Sequence, residues 1–274
     1  MGFFEDKGTM LLNVIKLFDP SVTDSYMGDL RPLAVTGIGI YFLWLMIPLL
    51  LGKGEGRAED ALSKILVWSI VFAFAFNGSG YLDMVQNGMN EIFTWSGGGK
   101  GFFKNLDTWY ASLSTAGEIF YEMDKSKYVK FQGAIAQIII LIGAMVLAII
   151  PFLIVIASSM LMQVIIMLAP FLILALVFPA LKTVFYNGLG LFLRVTFAML
   201  IISIIQKSFV SKIDSFVIAA SKSASNSVNV DLIGSSVLIL VMCIVYGGML
   251  YSAVPVSKII SGSIYSIKVG NKNL

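Results

Sequence analysis

Hydrophobic positions dominate the middle of the chain. From Phe131 to Leu181 there is no charged side chain. At about 1.5 Å of rise per helical residue, that run is more than twice what crosses ~30 Å of hydrocarbon, so it is expected to double back inside the bilayer. An uncharged connection at Ala157-Ser158-Ser159 divides it into runs of 133–156 and 160–178. The second run reads Ala169-Pro170-Phe171, continues apolar to Phe178-Pro179, and leads through Leu181-Lys182-Thr183-Val184-Phe185 into another apolar stretch that ends near Gln206. Proline removes a backbone donor and clashes with the preceding turn. In lipid the carbonyl it frees has no water to turn to, so such a break survives only where protein or a cavity meets it. Two readings stay open: a tight helical hairpin with proline kinks, or a broken, re-entrant element at a protein-lined core.

Shorter apolar runs flank this core. Two spans are expected over 33–76, the first kinked at Pro48, with a polar turn Gly52-Lys53-Gly54-Glu55-Gly56-Arg57 between them. A last span over 232–255 carries Gly234, Gly247, Gly248 and Ser252 for close helix approach, and Pro255 ends it. The fold class is therefore all-α: a polytopic integral membrane protein with five to six transmembrane or re-entrant helices and amphipathic surface helices. Residues 1–32 hold Leu11, Val14, Ile15 and Phe18 opposite Asn13, Lys16 and Asp19, which predicts an amphipathic helix outside the membrane, ended by Asp19-Pro20. It suits the membrane surface, a neighbouring subunit, or plain coverage of the fold. The large polar segment 77–132 repeats Leu106, Trp109, Leu113, Ala116 and Phe120 at helical spacing, and 207–231 is a Ser-rich segment with a stripe of Phe209, Ile213, Phe216, Val217 and Ala220. The core between them is 133–206, and 256–274 is a basic tail.

Composition agrees. Of 274 residues 58% are hydrophobic and 13% charged, with no histidine and one cysteine, Cys243. Mean hydropathy is +0.89. A soluble domain carries about a quarter charged residues. A single cysteine excludes an internal disulfide, and without histidine a Cys/His metal site is excluded. Ser96-Gly97-Gly98-Gly99-Lys100-Gly101 lacks the spacing and the Ser/Thr of a phosphate loop. No cofactor is expected. Arg194 lies within an apolar run, where a charge costs about 2.5–3.5 kcal/mol and marks a functional candidate, unless it reaches lipid phosphate along its own stem.

Charge orients the chain. Residues 1–32 hold five acids and three bases, and the tail has Lys258, Lys268 and Lys272 without an acid. The tail is expected in the cytoplasm, with the N-terminus and 77–132 outside. That needs an odd number of crossings, so one apolar run does not cross fully; 160–178 is the candidate. Six crossings would instead put both ends on one side.

The run from Ala169-Pro170-Phe171 to Phe178-Pro179-Ala180-Leu181-Lys182-Thr183-Val184-Phe185 resembles the hallmark of the TrbL family, polytopic inner-membrane subunits of type IV secretion and conjugation machines. The close agreement covers about 20 residues of a loosely defined apolar motif. The resemblance assigns Pro170, Phe171, Phe178, Pro179, Thr183 and Phe185 to a structural and assembly motif. Gly188 stands where the family commonly has tryptophan. The resemblance implies a non-enzymatic channel or assembly-platform subunit of the bacterial inner membrane, forming a homo-oligomer, a pentamer. Its implied partners are a minor pilin, the major pilin, a bitopic scaffold subunit and ATPases, with membrane lipid around it and DNA or protein as the translocated substrate. A secondary transporter of a small solute is the alternative; against it, no acid lies between Asp124 and Asp214 and no internal repeat is visible. An intramembrane protease lacks an acid pair or a Ser/Lys dyad at workable spacing.

Overall fold

The structure, a computed structural model, describes residues 2–15, 20–51, 57–76, 80–98, 100–126, 129–178, 181–226 and 231–270. Their regular structure is helical: α1 (Phe3–Ile15), α2 (Pro20–Leu50), α3 (Arg57–Ala75), α4 (Tyr81–Trp95), α5 (Lys100–Met123), α6 (Phe131–Leu174), α7 (Lys182–Asn226) and α8 (Leu232–Gly270). Among the described residues, three stretches are long and apolar enough to cross a membrane: α6, α7 from Lys182 to Phe209, and α8 from Leu232 to Ser261. Ser63–Ala75 of α3 is a shorter apolar helix. The chain is an all-α, polytopic membrane protein. It divides into two compact units, one of Met1–Ile15, Phe93–Leu161 and Leu193–Leu274, the other of Lys16–Ile92 and Met162–Phe192.

Three expectations change. No turn forms at Ala157-Ser158-Ser159, because α6 runs through it as one 44-residue helix. The Ser159 hydroxyl donates to the Val155 carbonyl at 2.8 Å, so its polar group is satisfied inside the helix and does not interrupt it. Pro255 does not end the last span; α8 continues through it to Gly270. The segment after Gln206 is no separate surface helix but the rest of α7, reaching Asn226, and Phe209 is fully buried. Of its expected stripe, the Ile213, Phe216, Val217 and Ala220 side chains lie outside the described residues, as do the turn at 52–56 and positions 227–230. The first helix is α1, ending at Ile15; Phe18 and Asp19 lie outside the described residues.

The first unit is built on α5. Leu106, Trp109, Leu113, Ala116 and Phe120 are all buried. This stripe is thus a core inside one chain and not a docking surface for another protein. α6 runs antiparallel beside it. Phe103 meets Phe152 with ring centroids 5.5 Å apart, and further along a Cβ on Gly117 would lie 3.2 Å from Gln137. α8 packs on α6 through Gly143, where a Cβ would stand 3.3 Å from Leu240 and 3.4 Å from the Cys243 sulfur, and through Gly247 beside Ile150. Small residues let these backbones close up. α7 closes the bundle, its Phe209 ring between Trp109 (5.5 Å) and Tyr246 (3.5 Å).

Carboxylates hold the corners. Asp107 of α5 accepts from the Phe4 and Glu5 amides at 2.9 and 2.7 Å, which caps the otherwise unpaired N-terminus of α1. α1 therefore docks through Phe4 and Gly8, and leaves Leu11 and Val14 outward. Asp124 closes the turn between α5 and α6. It accepts from the Ser126 hydroxyl and amide and, at 2.9 Å, from the Gly133 amide in the first turn of α6. α4 ends in a paired cap: Gly98 N–H donates to Phe93 at 3.0 Å and Gly97 N–H to Thr94 at 3.1 Å, with Gly97 at φ 106°. The Ser203 hydroxyl donates to the Ser96 carbonyl of this turn at 3.0 Å.

The Ser126 hydroxyl, then the Gly133 and Ser126 amides, hold the Asp124 carboxyl below its ordinary pKa of 3.8. A carboxylate with a depressed folded pKa stabilises fully above the unfolded value, and that contribution drains away as pH falls from there through the lowered value. Asp124→Asn is expected to flatten the acid limb of the stability-against-pH curve below roughly pH 4, read by tryptophan fluorescence in detergent. An acid limb identical to the parent's rules this cap out as a source of stability.

Candidate functional site

The proline-bracketed motif forms the connection between α6 and α7. Pro170 does not start a half-helix; it lies in the last turns of α6, which continues to Leu174. The chain then tightens. Ala175 N–H donates to Phe171 at 3.0 Å, while Leu176 and Val177 donate three residues back, to Ile173 and Leu174, both at 3.1 Å. Leu181 N–H returns to the Phe178 carbonyl at 2.9 Å, and α7 starts at Lys182. Pro179 lies outside the described residues.

Pro170 has no N–H for the carbonyl four residues earlier, that of Ile166. Gln86 on α4 supplies the missing donor: its side-chain amide reaches the Ile166 carbonyl at 3.2 Å, in a buried position. A half-satisfied carbonyl away from water is thereby answered by a side chain some 80 residues away in sequence. Nothing in the sequence singles out Gln86. The proline announces that a donor is needed, not which one comes.

Beyond the helix end, Val177 is buried with Trp68 and Val71 of α3, and Phe178 and Tyr41 pack against that cluster. Tyr41 and Trp68 lie 4.9 Å apart by ring centroid. Together with Ile38 they line a small apolar hollow beside Phe178. Phe171 is half-buried, Phe185 is half-buried against Tyr186 at 5.7 Å, and Thr183 is exposed on the first turn of α7. The motif residues therefore serve separate jobs along one turn and do not converge on a reactive centre. Arg194 is half-buried on α7 and belongs to the other unit. Among the described residues no cluster of acids and cysteine could hold a metal ion.

Gly188 accounts for its own departure from the family pattern. A Cβ there would stand 2.5 Å from a Leu172 methyl, so a side chain at 188 needs the Leu172 side chain to move aside.

The Gln86 bond yields a double-mutant test. Gln86→Leu leaves the Ile166 carbonyl unpaired and is expected to cost about 1–3 kcal/mol of stability. In a Pro170→Ala background the helix supplies its own N–H, and the same substitution is expected to cost clearly less. Equal losses in both backgrounds, measured by denaturant titration in micelles, would falsify the link.

No curated protein matches the chain. The family description that does match is that of the TrbL/VirB6 plasmid conjugal transfer proteins. It spans residues 38–253, from the middle of α2 to within α8, with the Pro170–Phe185 turn inside it. With most of its length matched, this chain belongs to the TrbL/VirB6 family of plasmid conjugal transfer proteins.

Proposed function

We propose that this membrane protein, a conjugal-transfer and type IV secretion component by family, is the inner-membrane channel or assembly-platform subunit of such a system. In this role it performs no catalysis. It supports pilus or stalk assembly and the passage of DNA or protein across the envelope. Copies form a homo-oligomeric ring, a pentamer, in contact with a minor pilin, the major pilin, a bitopic scaffold subunit and the ATPases.

The length of α6 carries this reading. Its 44 residues hold no charge and rise about 66 Å, roughly twice the hydrocarbon thickness. A solute transporter needs helices matched to the bilayer, whereas a subunit that links the membrane to a structure above it needs helices that outrun it. The orientation is supported by Asp107, which ties α1 to α5, in line with the N-terminus and the 77–132 segment lying on one side. That side is the periplasm, and the lysine tail is cytoplasmic.

Pro170→Leu combined with Phe171→Ala tests the role of the α6–α7 turn. In cells carrying the complete transfer apparatus, the variant is expected to insert into the inner membrane but not to co-purify with the other components, and transfer is expected to fall to background. A variant that still co-purifies with the whole complex contradicts the assembly role of this turn.

A further inference from the structure

We infer that the outward face of α7 holds a membrane helix of a different protein, one that carries an aspartate or glutamate opposite Arg194. This rests on the assembly reading above and names the chemistry of one partner in it.

Arg194 is the only charge between Lys182 and Lys207, inside a stretch of α7 long and apolar enough to cross a membrane. It lies twelve residues from the first lysine and thirteen from the second. Along the helix that is about 18–20 Å each way. An arginine stem covers less than half of that distance, so head-group phosphate does not serve as its counter-ion. Among the described residues no ion pair or hydrogen bond answers the guanidinium. A charge left so at mid-span is costly, and such residues pair with an opposite group.

The helix around Arg194 is shaped for a neighbour. Asn187, Gly190, Arg194, Phe197, Ile201 and Ile204 recur every three or four residues. Asn187 and Ile204 are exposed and the other four half-buried, while Val195, Met199 and Ile202, away from this face, are buried. That is the spacing at which one helix packs along another. A Cβ on Gly190 would meet nothing within 4 Å, so a second backbone can come close there. One turn from it Asn187 offers an amide for a bond across helices. Acyl chains offer nothing to the amide or the guanidinium, so lipid does not account for this face as it does for the apolar faces of α6 and α8.

Charge decides the occupant. None of this chain's apolar runs, 33–51, 61–76, 131–206 or 232–255, contains an acid, so a second copy brings no counter-ion to this depth. The carboxylate must arrive on another chain. A carboxylate within hydrocarbon is itself costly without a cation, so each side needs the other to be inserted at low cost.

The test uses the full chain in cells with the complete transfer apparatus. Phe197→p-benzoylphenylalanine puts a photoreactive ring on this face, one turn from Arg194, in place of another ring. Ultraviolet light is expected to join the chain to one other membrane protein, through a helix with Asp or Glu at mid-span. Adding Arg194→Leu is expected to lose that adduct, and adding Arg194→Lys to keep it. Arg194→Glu is expected to insert normally and abolish transfer, and changing the partner's acid to arginine is expected to restore it. Rescue by the swapped pair excludes a merely structural role. Should Arg194→Glu fail to insert, the Phe197 adduct, which keeps Arg194, still decides. An adduct at twice the chain mass assigns the face to a second copy, and one of lipid mass assigns it to the bilayer. A partner helix without an acid removes the charge pair. Each of these overturns the assignment. If transfer needs the chain yet persists in Arg194→Glu, the secretion role stands and this contact falls.

Discussion

A carbonyl without a partner, in a place that water does not reach, is the constraint around which the α6–α7 end of this protein is arranged. Pro170 creates that carbonyl at Ile166, and the helix does not break to escape it. The Gln86 amide comes in from α4 and closes the account at 3.2 Å. α6 keeps helical geometry to Leu174, and the reversal comes at the tight turns over Ala175–Val177. The reversal then delivers Val177 and Phe178 to the aromatic cluster of Trp68 and Tyr41.

The other unit solves a different problem with charge. Its helices α5 and α6 could slide against each other, because the contact between them is largely apolar and one apolar register resembles the next. Asp124 fixes the register by accepting from Gly133 at the start of α6, and Asp107 fixes α1 on α5 in the same manner. Both carboxylates sit at helix N-termini, where unpaired amides and the helix dipole favour a negative charge. The result is a bundle with two kinds of surface, polar on α5 and apolar on α6 and α8.

Much of this was legible in the residues and some was not. The membrane class followed from uncharged runs, and the buried face of α5 from the spacing of Leu106 to Phe120, because hydrophobic period reports which side of a helix is covered. It does not report by what: the same stripe reads equally as core or as docking surface. Apparent breaks need not end a helix. Ala157-Ser158-Ser159 and Pro255 look like interruptions in a list of letters, yet Ser159 bonds within its own helix and α8 passes through its proline. Whether a weak residue ends a helix depends on what neighbours supply, and that is long-range information. α4 carried no apolar run long enough to attract notice, although it holds Gln86. The motif itself was visible, but its division of labour was not. Only the folded chain separates Pro170 with its donor, Phe178 with its cluster and Thr183 in the open.

Gly188 shows how such a departure is absorbed. After a tight reversal two helices leave nearly side by side, and their separation is set by the first large side chain between them. With glycine at 188, that side chain is Leu172 on α6, already in the space a Cβ would take. A tryptophan at 188 would need the Leu172 side chain to yield. The ring that fills the unit against the turn comes instead from α3, where Trp68 packs with Val177. Bulk at the end of α6 thus comes from α3 and α2, through Trp68 and Tyr41. Substitutions that shrink Trp68 act on the α6–α7 turn from outside it, through packing alone.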